Sequence, residues 1–90
     1  MVAPWRVVLT KQAKKDARNL NAAGLRSKAE DLIAILRVDP LQSPPPFEKL
    51  LGDLGGMYSR RINRQHRLVY DVFPERRTVK ILRMWTHYGD

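Results

Sequence analysis

The pattern of apolar and polar positions along the chain predicts one strand, two helices and then three further strands. Residues 5–10 (WRVVLT) form a short β-branched and aromatic run that is typical of a strand. Apolar residues then recur at helical spacing in residues 13–20 and again in residues 25–38, which predicts two amphipathic helices. Thr10 is placed to cap the first helix, and Pro40 ends the second because proline lacks the N–H that a helix needs.

The second half of the chain reads as a proline-rich connector followed by a meander. The connector, residues 39–47, is too short to separate two domains. Strand-like runs cover residues 57–63, 67–73 and 78–85, and their short connections require antiparallel neighbours. The order βααβββ predicts an α+β fold of two layers, in which an antiparallel sheet packs on two N-terminal helices. We therefore expect a single domain over residues 1–90.

The charge of the chain narrows the classes of partner. It has 90 residues with 17 Lys and Arg against 9 Asp and Glu, a net charge of +8. Such a charge costs self-repulsion, which a polyanion can offset, so nucleic acid is the first candidate. No acidic residue lies between Leu54 and Tyr70, and this stretch holds a cluster of arginines: Arg60, Arg61, Arg64 and Arg67. Arginine binds phosphate oxygens two at a time, although a merely solvated basic face stays open as the alternative.

Several other classes are disfavoured by the composition. The chain has no cysteine, and its two histidines lie in no cluster of carboxylates. We therefore expect neither a disulfide nor a metal site, and no cofactor. The N-terminal apolar run is too short for a signal peptide or a membrane span, so we expect a cytoplasmic protein without a membrane partner.

Strand alternation also predicts how the sheet presents its polar groups. Apolar residues on both faces of the last strand indicate an interior strand that the helices cover on one side. The open face is then expected to carry four arginines: Arg60, Arg61, Arg67 and Arg83. His66 lies at the entry to a strand without a carboxylate beside it in sequence, so we expect a structural role for it.

One set of residues has the composition of a catalytic site. Glu48 precedes the meander, Arg61 and Arg67 lie on its first two strands, and His87 and Tyr88 follow its third. Neighbouring strands are about 4.8 Å apart, so these groups can meet in one patch. A base, cations and an acid are what cleavage of RNA without a metal requires. Each residue also has an ordinary structural explanation, and the residues alone favour that explanation.

The segment from Phe47 to Tyr88 resembles the YoeB/Txe toxins of the RelE/ParE superfamily. It contains F-E-K-L, then L-G-G-M-Y-S-R-R-I, then Q-H-R-L-V-Y, and ends in a His-Tyr pair. The order βααβββ is also what this superfamily implies. The N-terminal half matches only in its pattern of elements.

The resemblance implies a toxin of a type II toxin–antitoxin system. Such toxins are ribosome-dependent mRNA endonucleases that cut mRNA in the A site by metal-free acid–base catalysis and so inhibit translation. The family's roles then fall on Glu48 as general base, on Arg67 as stabiliser of the transition state, on His87 as general acid and on Tyr88 as a group that orients the substrate. The resemblance places a phosphate contact on Arg61, and the clustering of arginines in sequence adds Arg60 and Arg64 as expected RNA or phosphate contacts.

The same resemblance implies partners and leaves two alternatives. The partners are a Phd/YefM-type antitoxin with an acidic segment on the arginine face, the ribosome and its mRNA, and in some relatives a second copy of the toxin. One alternative is a ParE-like inhibitor of DNA gyrase, which shares the fold. The other is a non-catalytic basic module that binds nucleic acid, for which the positive charge suffices.

Overall fold

In the part of the chain that the structure describes, a five-stranded sheet is covered on one face by two helices. The computed structural model describes residues 4–50 and 57–85. Its strands are β1 (Arg6–Leu9), β2 (Glu48–Lys49), β3 (Met57–Arg61), β4 (Arg67–Phe73) and β5 (Thr78–Arg83); its helices are α1 (Lys11–Ala22) and α2 (Arg26–Val38), and a 3-10 turn spans Pro74–Arg76. The predicted two-layer α+β class is confirmed.

Both helices begin and end where the sequence signals indicate. Thr10 caps α1, because its Oγ1 accepts a hydrogen bond from the backbone N–H of Ala13 at 3.0 Å. Gly24 follows α1 with a φ of 76°, in the left-handed region that glycine adopts without strain. Helix α2 ends at Val38, two residues before Pro40. Neither described helix is long and apolar enough to cross a membrane.

The sheet differs from the predicted meander at its two edges. Its strand order is β1-β5-β4-β3-β2, and β3, β4 and β5 are antiparallel as expected. Strand β1 instead pairs parallel with β5, because the chain crosses over through the helices before it returns to the sheet. The additional strand β2 has two residues, paired antiparallel with β3, and is too short for alternation to reveal.

The hydrophobic core lies between the helices and one face of the sheet. The helices contribute Ala13, Leu20, Ala29, Leu32 and Leu36, and the sheet side contributes Ile62, Leu68, Tyr70, Val79, Ile81 and Met84. These residues follow the helical and alternating patterns of the sequence. The core holds the helices against one face of the sheet. The opposite face of β2, β3 and β4 is not covered by the helices.

Two arginines predicted on the open face lie elsewhere. Arg60 shares its strand face with Tyr58 and Ile62, and it is only 1 % exposed. Arg83 reaches α1, where its Nε donates to Oδ2 of Asp16 at 2.8 Å. A shift in the pairing of β4 with β5 leaves one extra residue ahead of Arg83, and such a bulge re-aims a side chain. The prediction was therefore wrong for Arg60 and Arg83.

Candidate active site

A cavity on the open face of the sheet brings together residues that are far apart in sequence. Its volume is about 300 Å³, and it is lined by Pro46, Phe47, Glu48, Ser59, Arg61 and Arg67. The register explains this grouping, because Glu48 pairs with Ser59 and Arg61 pairs with Arg67. Directly opposed residues on antiparallel strands present their side chains on the same face. Three predicted site residues, Glu48, Arg61 and Arg67, therefore share one cavity.

Glu48 and Arg67 form the only close pair of opposite charges described at this cavity. Oε1 of Glu48 lies 3.5 Å from Nη2 of Arg67, while Nη1 of Arg67 donates to Oγ of Ser59 at 3.2 Å. The side chain of Arg67 is 17 % exposed, and that of Glu48 is 66 % exposed. The guanidinium is thus held against the sheet, whereas the carboxylate stands in solvent where a substrate can reach it.

The direct pairing of Arg61 with Arg67 puts two cationic side chains on the same face of the sheet, and both line the cavity. Like charges opposite each other on neighbouring strands destabilise a sheet. One carboxylate, Glu48, faces this pair within the described part of the cavity. The arrangement leaves an excess of positive charge that an anion such as a phosphate group would compensate.

Arg64 lies at the tip of the turn that joins β3 to β4, and it is exposed. The turn is built by Asn63, whose Oδ1 accepts the backbone N–H groups of Gln65 at 2.9 Å and His66 at 2.7 Å. Because the turn connects the strands of Arg61 and Arg67, it places a third guanidinium, that of Arg64, at the same end of the sheet.

His66 packs in the structure instead of entering the cavity. It is 7 % exposed, and its ring stacks on that of Trp85 with centroids 3.8 Å apart and planes 16° apart. The expected structural role agrees with this position. The stack also fixes Trp85, which stands two residues before His87 in the sequence.

The structure does not bring every predicted residue to the cavity. His87 and Tyr88 lie outside the described residues, so their positions stay predictions. Arg60 lies on the opposite face of the sheet, with its guanidinium bonded to backbone carbonyls. It is therefore not placed to bind phosphate, contrary to the prediction. Ser59 was not among the predicted site residues, although it lies two positions before Arg61 on β3 and alternation therefore places both on the same face.

An ion pair between Asp16 and Arg83 links α1 to the end of β5. Asp16 is 1 % exposed and accepts hydrogen bonds from Nε of Arg83, from the backbone N–H of Met84 and from Nε2 of Gln12, at 2.8, 2.9 and 3.0 Å. Burial by itself raises the pKa of the Asp16 carboxyl. The hydrogen bonds from Arg83, Met84 and Gln12 outweigh it and hold that pKa below its usual value.

No cluster of three or more His, Asp or Glu side chains in residues 4–50 and 57–85 is arranged to hold a metal ion. An exposed carboxylate can accept a proton, and two guanidiniums beside it can stabilise charge on phosphate oxygens.

Comparison with known proteins identifies the family. The model of the YoeB-like toxins of bacterial type II toxin–antitoxin systems matches residues 10–88. The chain belongs to this family. The match includes the N-terminal helices of this toxin as well as its C-terminal half, and it confirms the resemblance drawn from residues 47–88. No curated protein sequence is significantly similar to this toxin.

Solved structures of toxins resemble this toxin over nearly its whole length. A YoeB/ParE toxin from Agrobacterium tumefaciens is 29 % identical with a TM-score of 0.83, and the match covers 92 % of this chain and 99 % of that one. The YoeB–YefM complex from Staphylococcus aureus is 33 % identical with a TM-score of 0.76, and the match covers 93 % of this chain and 98 % of that one. The RelBE2 toxin–antitoxin complex from Mycobacterium tuberculosis is 30 % identical with a TM-score of 0.73, and the match covers 93 % of this chain and 99 % of that one. The fold of this toxin is therefore that of the YoeB and RelE toxins.

Proposed function

We propose that this toxin is a ribosome-dependent mRNA endonuclease that cleaves mRNA in the A site and so stops translation. Glu48 takes the proton of a ribose 2′-hydroxyl, and O2′ attacks the adjacent phosphorus. Arg61 and Arg67 stabilise the charge on the non-bridging oxygens. The bond from phosphorus to O5′ breaks as His87 donates a proton to that oxygen, and Tyr88 orients the substrate. The products are a 2′,3′-cyclic phosphate and a 5′-hydroxyl.

The observation that carries the proposal is the placement of Glu48 against Arg67. Their 3.5 Å separation is longer than a charge-assisted hydrogen bond of about 2.7–2.9 Å. An ionised carboxylate has about four acceptor sites, so this single contact leaves lone pairs available for an incoming proton. The excess positive charge from Arg61 and Arg67 supports binding of a phosphate between them, with Arg64 on the adjoining turn as a further contact.

Dependence on the ribosome has a physical reason. A general acid or base supplies typically about 10²–10⁴ in rate, and much of the remaining acceleration comes from holding the reacting groups in line. The described cavity has a volume of about 300 Å³, which is small beside a strand of RNA. The ribosome can hold the mRNA in a fixed path and present a single linkage to Glu48.

The proposal includes partners that the relatives suggest. The Staphylococcus aureus protein was solved with YefM and also as a dimer. For this toxin we propose a Phd/YefM-type antitoxin whose acidic segment covers Arg61 and Arg67 and neutralises them. A second copy of the chain is the other proposed partner.

Single-turnover cleavage on ribosomes programmed with a defined mRNA tests the function. We expect wild-type toxin to release fragments that end in a 2′,3′-cyclic phosphate, and to cut free mRNA far more slowly. Glu48→Gln removes the base and should slow cleavage by about 10²–10⁴. Glu75→Gln, the same change on the exposed 3-10 turn, should cut like the wild type. Equal rates for wild type and Glu48→Gln would overturn the assignment.

A further inference from the structure

Arg60 is an unusual residue for the interior of a small sheet. It is 1 % exposed, and none of the ion pairs among the described residues involves it. Burying a charge is costly unless it is paired and hydrogen-bonded. An apolar side chain at this position would pack without that cost. The buried guanidinium of Arg60 therefore needs an explanation.

The guanidinium of Arg60 binds the connector that leads to Glu48. Nη2 donates to the carbonyls of Pro40 at 3.0 Å and Gln42 at 2.8 Å, and Nη1 donates to that of Pro45 at 2.7 Å. Its Nε donates to the hydroxyl of Tyr70 at 3.1 Å, and that hydroxyl donates in turn to Pro40 at 2.8 Å. Burial raises the pKa of the Tyr70 phenol, so the hydroxyl keeps its proton for this bond.

The connector needs such a partner because of its sequence. Residues 39–47 include four prolines, which have no N–H and cannot join a strand ladder. Their carbonyls still require donors when they are buried. The planar guanidinium of Arg60 donates to three carbonyls of the connector, two from prolines and one from Gln42. A lysine ammonium cannot do this with the same fixed geometry.

The connector ends at the residue before Glu48. Phe47 lies with its ring centroid 5.0 Å from Cζ of Arg60, and its ring meets that of Tyr58 edge-on at 5.7 Å. Glu48 itself is held by a strand of two residues, followed by one bond from the N–H of Leu50 to the carbonyl of Met57 at 2.8 Å. So short a strand cannot fix its own position, and the clamped connector supplies the anchor.

We propose that Arg60 is a positioning residue that holds Glu48 at the cavity by clamping the proline-rich connector. The adjacent arginines of β3 then have divided roles, because Arg61 faces the cavity and Arg60 faces the connector. This inference rests on the proposed function only in taking Glu48 as the base. Arg60 does not touch the RNA.

A kinetic cycle separates positioning from RNA binding. Arg60→Lys keeps the charge but loses the fork, and we expect kcat to fall about tenfold with KM for the programmed ribosome unchanged within threefold. Arg76→Lys on the exposed 3-10 turn is the matched control and should leave both constants unchanged. Combined with Glu48→Gln, Arg60→Lys should slow cleavage less than twofold further. A raised KM, or a full tenfold loss added to that of Glu48→Gln, would overturn the proposal.

Hydrogen exchange tests the clamp without reference to cleavage. In Arg60→Lys we expect the amide of Leu50 to exchange at least tenfold faster, while amides of Leu68 and Tyr70 in β4 change less than twofold. An equal rise at Leu50 and in β4 would indicate a merely structural role and contradict the proposal. Tyr70→Phe, which keeps the ring but removes the bonds to Arg60 and Pro40, should show the same pattern more weakly and serves if Arg60→Lys does not fold. If Glu48→Gln cuts normally, the proposed function fails, and the exchange result still decides the clamp.

Discussion

Removing the buried carboxylate of Asp16 should destabilise the fold by a calculable amount. In Asp16→Ala the buried N–H of Met84 loses its acceptor, which costs about 1–3 kcal/mol. Breaking a fully buried ion pair costs about 3–5 kcal/mol, but the side chain of Arg83 is 35 % exposed and water can replace part of its interaction. We therefore expect a loss of about 2–3 kcal/mol for Asp16→Ala. Asp16→Asn keeps one acceptor oxygen and should lose about half of that.

Thermal and urea unfolding followed by circular dichroism measure this loss. For a domain of this size 1 kcal/mol shifts the Tm by about 4–8 °C, so Asp16→Ala should melt about 10–20 °C lower. Arg83→Met leaves the carboxylate buried and should be destabilised similarly. The double variant should be more stable than the sum of the two losses indicates, because a pair in contact is coupled. A loss below about 0.5 kcal/mol for Asp16→Ala, or strictly additive losses, would refute the reasoning.

Three further outcomes are expected. The pKa of Asp16 is lower in the folded than in the unfolded chain. Its contribution to the free energy of unfolding is therefore full above the ordinary value of 3.8 and is lost as the pH falls through the folded pKa. Urea unfolding at pH 3 and pH 6 should show a smaller acid-induced loss of stability in Asp16→Asn than in the wild type. Thr10→Ala removes the N-cap of α1 and the bond to the carbonyl of Leu82, and should cost about 1–2 kcal/mol in the same assay, with Thr10→Ser close to the wild type. Ser59→Ala frees Nη1 of Arg67 and should slow cleavage on ribosomes about threefold to tenfold with little loss of stability, whereas unchanged cleavage would show that Arg67 needs no support from β3.

The helices and the three long strands were predictable because their signals are local. The cap at Thr10, the stop at Pro40 and the alternation in residues 67–73 each act within a few residues. The parallel placement of β1 beside β5 depends on contacts about 70 residues apart, which no local pattern contains. Strand β2 has only two residues, so its register with β3 could not be read from alternation.

The candidate site was predictable in part for a similar reason. The resemblance assigned Glu48, Arg61 and Arg67, and the register of the sheet brings all three to one cavity. Arg60 was predicted on the wrong face because its charge suggested an exposed position. Alternation along β3 places it on the core face, with Tyr58 and Ile62. The guanidinium of Arg60 donates to backbone carbonyls, which every residue has. The contact of Arg60 with the connector therefore could not be predicted from residue types.

The proposed cleavage of mRNA on the ribosome depends on the carboxylate of Glu48, held beside Arg67, as its general base. Primer extension on cellular mRNAs after brief expression of the wild type and of Glu48→Gln tests it most directly. We expect discrete new ends within translated regions for the wild type, and their loss in Glu48→Gln at equal toxin levels. No cuts from the wild type together with inhibited DNA supercoiling would select the gyrase alternative, and identical cuts from both proteins would contradict the role of Glu48.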